Sequence, residues 1–135
     1  AINLETDNAK KADNAYKAAS VLASAKKLSQ ARSYAQKAIS FNENFGAPYI
    51  LIAQLYAGNY KWNDEPALNK CTFFAAIDKL QRAKAVDPSV AEEANKLISS
   101  YSAYTPEAKD LFMLGYKAGD RITIGGWIGE TTTIR

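Results

Sequence analysis

The sequence predicts an all-α fold: an array of five or six antiparallel helices paired as hairpins, followed by a short extended or β-hairpin C-terminal segment. Three observations carry this. Apolar and alanine residues recur at three- and four-residue spacing through most of the chain, the period of a helix that buries one face. Along these stripes, small residues stand where two helix backbones approach closely, and large side chains fill the spaces between. After Gly119 the periodicity stops, and Arg121 to Arg135 is rich in Ile, Thr and Gly with one Trp, a composition suited to extended chain.

The first helix runs from Thr6 to about Ser24, without Gly or Pro, and carries Ala12, Ala15, Ala19 and Leu22 on one face. A polar patch from Ala25 to Leu28 separates it from a second helix, striped by Ala31, Ala35, Ala38 and Ile39, that stops near Phe41 to Asn44 and Gly46. The third, Ala47 to Ala57, carries Tyr49, Ile52, Ala53 and Tyr56 and ends at Gly58-Asn59. In the loop Tyr60 to Pro66, Asn63 and Asp64 are suited to cap the next helix and Pro66 to enter its first turn. That fourth helix spans Ala67 to Val86, with Phe73, Phe74, Ile77, Leu80 and Ala83, and Asp87-Pro88 stops it. Ser89 to Glu92 has the pattern of a capping box and opens a fifth helix to about Ala103. Thr105-Pro106-Glu107 then caps a short sixth helix ending before Gly119.

Residues 1–119 therefore read as one helical array with a loop insertion at about 58–66, and residues 120–135 as an extended segment that caps it. A chain of 135 residues can bury about two-thirds of its unfolded surface without a staple. Lys and Arg number 17 against 14 Asp and Glu, and a net charge of +3 selects neither nucleic acid nor anionic lipid as a partner. Histidine is absent, which excludes Ser-His-Asp and Cys-His catalysis and any His-containing zinc site. The single Cys71 excludes intrachain disulfides and Cys-only zinc clusters, so no metal, cofactor or catalytic residue is expected. No stretch approaches the roughly 20 apolar residues needed to span a bilayer.

Two helical pairs repeat one another. Ala31 and Ala38 in the second helix correspond to Ala76 and Ala83 in the fourth, at the same separation, and Pro88 follows the second of these. On these residues the chain resembles the tetratricopeptide repeat, whose first helix has a large residue, Leu, a small residue and Tyr, and whose second has Ala, an aromatic, Ala and Pro. Tyr49, Ile52, Ala53, Tyr56, Ala76, Leu80, Ala83 and Pro88 fit that signature once the Gly58 to Pro66 insertion is allowed. Ala15, Ala18, Ala19, Leu22, Ala31, Ala35 and Ala38 form a looser copy with Glu43 in place of Pro, and Ala94, Leu97, Ile98 and Tyr101 begin a third. The resemblance implies a scaffold that binds a protein or peptide on the face formed by its first helices. It assigns that face to Asp13, Tyr16, Ser20, Ile50, Gln54, Asn95, Ser99 and Ser102. Tyr16 and Ser20 replace the Lys and Asn with which the family's chaperone-tail binders clamp a terminal carboxylate. The tail from Gly125 to Thr133 is similar to the end of a group of uncharacterised bacterial envelope proteins with such repeats, which implies a periplasmic or exported location; the alternative is cytoplasmic.

Other chemistry-bearing residues have structural explanations. Cys71 beside Thr72 and Phe73 reads as a small buried apolar residue. The adjacent carboxylates Asp64-Glu65 and Glu92-Glu93 diverge by about 100° on a helix and form no acid-base dyad, so capping and solvation account for them. Gly125-Gly126-Trp127-Ile128-Gly129 lacks the Gly-Lys-Ser/Thr ending of a phosphate loop and reads as a turn. Lys10, Lys11, Lys17, Lys26, Lys27, Arg32 and Lys37 support nucleic acid or another polyanion as the alternative partner, yet the stretch lacks interleaved aromatics. The function expected is that of a non-catalytic protein or peptide interaction module. An enzyme would need an unrecognised site built from Asp, Glu, Lys, Tyr or Ser.

Overall fold

Alanine sets the distance between the helices. Ala12, Ala15 and Ala19 on the first helix and Ala31, Ala35 and Ala38 on the second are all buried, because a methyl group is the largest side chain two closely packed backbones admit. The computed structural model describes residues 4–135, with side chains from residue 7 onward. Helices α1 (Leu4–Ser24) and α2 (Leu28–Phe41) pair as the first hairpin. Helix α3 (Ala47–Gly58) pairs with α5 (Thr72–Val86), and the short α4 (Pro66–Lys70) lies between them in sequence. Helix α6 (Ala91–Ser102) packs on α5, and α7 (Ala108–Met113) touches α4. Strands β1 (Arg121–Thr123) and β2 (Thr131–Thr133) pair antiparallel, with Ile122 opposite Thr132. The protein is thus all-α with a C-terminal β-hairpin, as its periodicity predicts. Among the described residues, no helix is long and apolar enough to cross a membrane.

The shared alanines of the two hairpins, Ala31 and Ala38, Ala76 and Ala83, are all fully buried, as are Ile52, Ala53, Tyr56 and Leu80. Tyr49 is half-buried and Pro88 exposed. Gly46, expected to end α2, instead precedes α3. Helix α2 stops at Asn42, and Gly46 lies where the two hairpins meet, with its N–H donating to Asp87 Oδ2 at 3.0 Å.

The ends of the helices depart from the sequence reading in four places. The fourth predicted helix, Ala67 to Val86, is divided at Cys71, where the backbone tightens: the Cys71 N–H donates to Leu68 O and the Phe74 N–H to Cys71 O. Glu65, rather than Asn63 or Asp64, caps α4, accepting from the Ala67 N–H at 3.4 Å. Ser89 caps nothing, because its hydroxyl donates to Asp87 Oδ1 at 2.5 Å; Asp87 caps a 3₁₀ turn at Pro88–Val90, and α6 begins at Ala91 without a side-chain cap. Thr105 donates to Ser102 O at the end of α6 instead of opening α7, and α7 ends at Met113, well before Gly119. There Gly115, at φ +92°, forms a Schellman turn with Tyr116 N–H bonded to Leu111 O. Helix α1 closes with the same turn, but the left-handed position belongs to Lys26 at φ 60°, and Lys27 N–H bonds Leu22 O.

The tail buries Ile122, Ile124, Ile128 and Ile134. Its polar anchors, however, are on α2, α3 and α5 and not on the last helix. Arg32 on α2 donates to Ile128 O at 2.6 Å, Trp127 O at 2.8 Å and the Tyr56 hydroxyl at 3.1 Å. Asp78 on α5 accepts from Thr132 Oγ1 at 2.6 Å and pairs with Arg135, and Lys79 pairs with Glu130 at 2.6 Å. Trp127 stands edge-on to Tyr56, with ring centroids 5.5 Å apart, under the Arg32 guanidinium. Burial, together with Glu130 beside it, holds the Tyr56 hydroxyl protonated far above the ordinary tyrosine range, against the opposing pull of Arg32.

Candidate functional site

The loop expected as an insertion is built by side chains that bond to its backbone. Buried Asn69 accepts from the N–H groups of Trp62 and Asn63 at 2.8 and 2.7 Å and donates to Asn63 O at 2.6 Å. Thr72 at the start of α5 donates to Tyr60 O at 2.9 Å, and the Trp62 indole donates to Leu68 O at 3.2 Å. The Trp62 ring in turn closes over Gly125, where a Cβ would stand 2.7 Å from Trp62 Cε3. Loop and tail therefore hold each other, and Tyr60 is carried over Phe73 with centroids 5.1 Å apart.

Phe73 is the floor of an aromatic pocket. It is 6% exposed, and Tyr101 from α6 approaches it at 5.9 Å. Tyr104, brought round by the turn after α6, stacks on it at 5.4 Å and 27°. Tyr60, Phe73, Tyr101 and Tyr104 line a largely apolar pocket of about 470 Å³ with Gln54, Ala57 and Gly58 of α3 and Lys70 of α4. A volume of this size accepts one or two large side chains of a partner. Tyr104 is 57% exposed, so a bound group would remove an apolar surface from water. Burial also raises the pKa of the Tyr101 hydroxyl above its ordinary value. A second pocket of about 440 Å³ shares Gly58 and Tyr60 with the first and adds Leu28, Asn59, Lys61 and Trp127.

Of the eight residues expected to form the interaction face, Gln54 alone lines this pocket. Ile50 is 4% exposed and belongs to the core, so it offers a ligand no surface. Tyr16 is half-buried and packs edge-on against Phe45 at 5.3 Å, and Ser20 is half-buried. Asp13, Asn95, Ser99 and Ser102 are exposed. Asn95 accepts from Lys84 at 2.7 Å, and the Ser102 hydroxyl donates to Ile98 O within its own helix. Phe73 and Tyr101 were read as helix-face and repeat residues and not as a site, and Tyr60 and Tyr104 were missed because they lie in the insertion and beyond the end of α6, outside any repeat position. Their only signal was a tyrosine count above what a small helical core uses.

Cys71 is buried, its thiol is pushed up to about 11 by burial, and its Sγ contacts Ala67 O at 3.5 Å. The thiolate is therefore scarce at neutral pH. Among the described residues, no three His, Cys, Asp or Glu side chains gather where they could hold a metal ion. In the basic first hairpin, Arg32 is turned inward to the tail and Lys11 pairs with Asp7 at 3.2 Å. The structure also supplies the interleaving that the linear sequence hides: Lys37 lies over Tyr34 at 4.6 Å and Lys11 over Phe41 at 5.8 Å, and both rings are exposed. No known family, curated protein or solved structure matches the chain.

Proposed function

We propose that the protein is a non-catalytic protein or peptide interaction module on a tetratricopeptide-like helical array. The observation that carries this reading is the aromatic pocket between the C-terminal ends of α3 and α6, which both pack on α5. Exposed aromatic side chains held in fixed positions by a packed scaffold favour association, because they bury large areas with little loss of rotamer freedom. Location in a bacterial envelope rests on the resemblance of the tail alone. To test the reading, a random peptide library is panned on the native chain, and enriched peptides are measured by calorimetry against the native protein and Tyr104→Ala. Loss of about tenfold in affinity on truncation is expected for a ring at the centre of a contact. Enriched peptides that bind Tyr104→Ala unchanged would remove the pocket from the proposal.

A second reading is polyanion binding by the α1–α2 hairpin. Tyr34 and Phe41 beside Lys37 and Lys11 favour it, and affinity for oligothymidylate falling steeply with salt is its expected sign.

A further inference from the structure

We infer that the two adjoining pockets form one groove for an acidic peptide, which places an apolar or aromatic side chain against Phe73 and a carboxylate beside Lys61 or Lys70. This rests on the peptide-binding reading above and names the partner's chemistry. The pockets, of about 470 and 440 Å³, both border Gly58 and Tyr60, so an extended segment laid across that shared edge would reach both. Their combined lining contains two charged side chains, Lys70 and Lys61, and no carboxylate. Neither lysine has an ion-pair partner among the described residues. No carboxylate lines the groove itself; on its outer side Lys61 borders a separate depression with Asp64, and Lys70 another with Asp110 and with Glu65, which caps α4.

Charge and shape thus divide the work. The aromatic pocket supplies apolar burial, which is indifferent to charge, and the two exposed lysines select against basic sequences and speed the approach of acidic ones. Gln54 at the rim presents an amide donor and acceptor suited to the backbone of an extended chain. Gly58, at the junction, leaves the groove open: a Cβ there would meet nothing within 4 Å.

That open space provides the decisive variant. Gly58→Leu puts a good helix former at the end of α3 and adds apolar bulk at the junction from a position where the Cβ meets no other atom within 4 Å. The probes are fluorescein-labelled nine-residue peptides with a central phenylalanine flanked by aspartates, by serines or by lysines, the aspartate peptide with alanine at the centre, and oligothymidylate. Anisotropy titrations of the full chain should rank aspartate over serine over lysine flanks, with about tenfold between the extremes at low salt. Central alanine and Gly58→Leu should each lose about tenfold, and Lys61→Glu with Lys70→Glu should invert the flank preference. Serine- or lysine-flanked peptides that bind as tightly as the acidic one, and that Gly58→Leu still displaces, overturn the acidic partner and leave the pocket reading standing. Binding of no peptide, or binding insensitive to Gly58→Leu, overturns both. Oligothymidylate binding that Gly58→Leu abolishes while the peptides fail replaces the peptide as the occupant.

Discussion

Gly46 and Gly58 bracket α3 and face opposite constraints. At Gly46 a Cβ would stand 2.6 Å from Val90 Cγ2 and 2.8 Å from Asp87 Cβ, so Gly46→Ala must push the start of α3 away from the end of α5 and the turn that follows it. The expected cost is about 1 to 3 kcal/mol, as for other overpacked contacts. Gly58→Ala meets open space in a helix and should stabilise the protein by up to about 1 kcal/mol. Thermal denaturation of both variants checks this, since shifts of the same sign would contradict the geometry. Asp87 links the same junction to pH. The Ser89 hydroxyl, the Gly46 N–H and the Ser89 N–H all donate to its carboxylate and hold its pKa below the ordinary value. A depressed folded-state pKa means that this stabilisation is complete above the unfolded value of about 3.9 and is lost as pH falls through the folded one. Asp87→Asn should therefore lower the urea midpoint at pH 7 and leave a smaller further loss between pH 5 and 2 than the native chain shows.

At the scale of the element, the alanines are contacts and not fillers. Ala53, Ala76 and Ala83 are fully buried, so replacing any one by Leu should cost about 1 to 3 kcal/mol, measured by chemical denaturation. Unchanged midpoints for all three would dissolve the correspondence between the hairpins. One guanidinium ties the tail to two helices of the array. Arg32 bonds two successive backbone carbonyls and the Tyr56 hydroxyl, and no smaller cation reaches all three. Arg32→Lys and Arg32→Ala should both destabilise, by about 1 to 3 kcal/mol for acceptors left unpaired, and both should shift tryptophan emission to the red as Trp127 is released. Full recovery by lysine would show that charge alone, without the fork, holds the segment.

For the whole molecule, the tail is part of the core. Four isoleucines are buried in it, and each large side chain is worth about 1.5 to 3 kcal/mol on burial, against a total stability of about 5 to 15 for a typical domain. Deleting residues from Asp120 onward should abolish the cooperative thermal transition and promote dye binding and association. A truncated chain that melts cooperatively at the native temperature would return the tail to the role of an optional surface edge.

The helical stretches, the two hairpins and the change to extended chain after Gly119 were legible in the sequence, because spacing at three and four residues and the small residues on those stripes are local properties of the chain. Cap choice was less legible. Ser89, Thr105 and Asn63 each have the right type, but Asp87, Ser102 and Glu65 engage them first, through bonds set by how the chain turns in three dimensions. The tail read as apolar cover, yet what it covers depends on Arg32, Tyr56 and Asp78, which lie far from it in sequence. The same holds for the candidate site. Gln54 was found because its helix repeats, whereas Tyr60, Phe73 and Tyr104 share no period and meet only because Asn69 and Thr72 fold the insertion back onto α5. Sequence alone determined which faces are buried, since burial follows a periodicity written along one helix. Tertiary structure alone decided which exposed residues converge, since convergence requires loops whose course is set by long-range hydrogen bonds and packing.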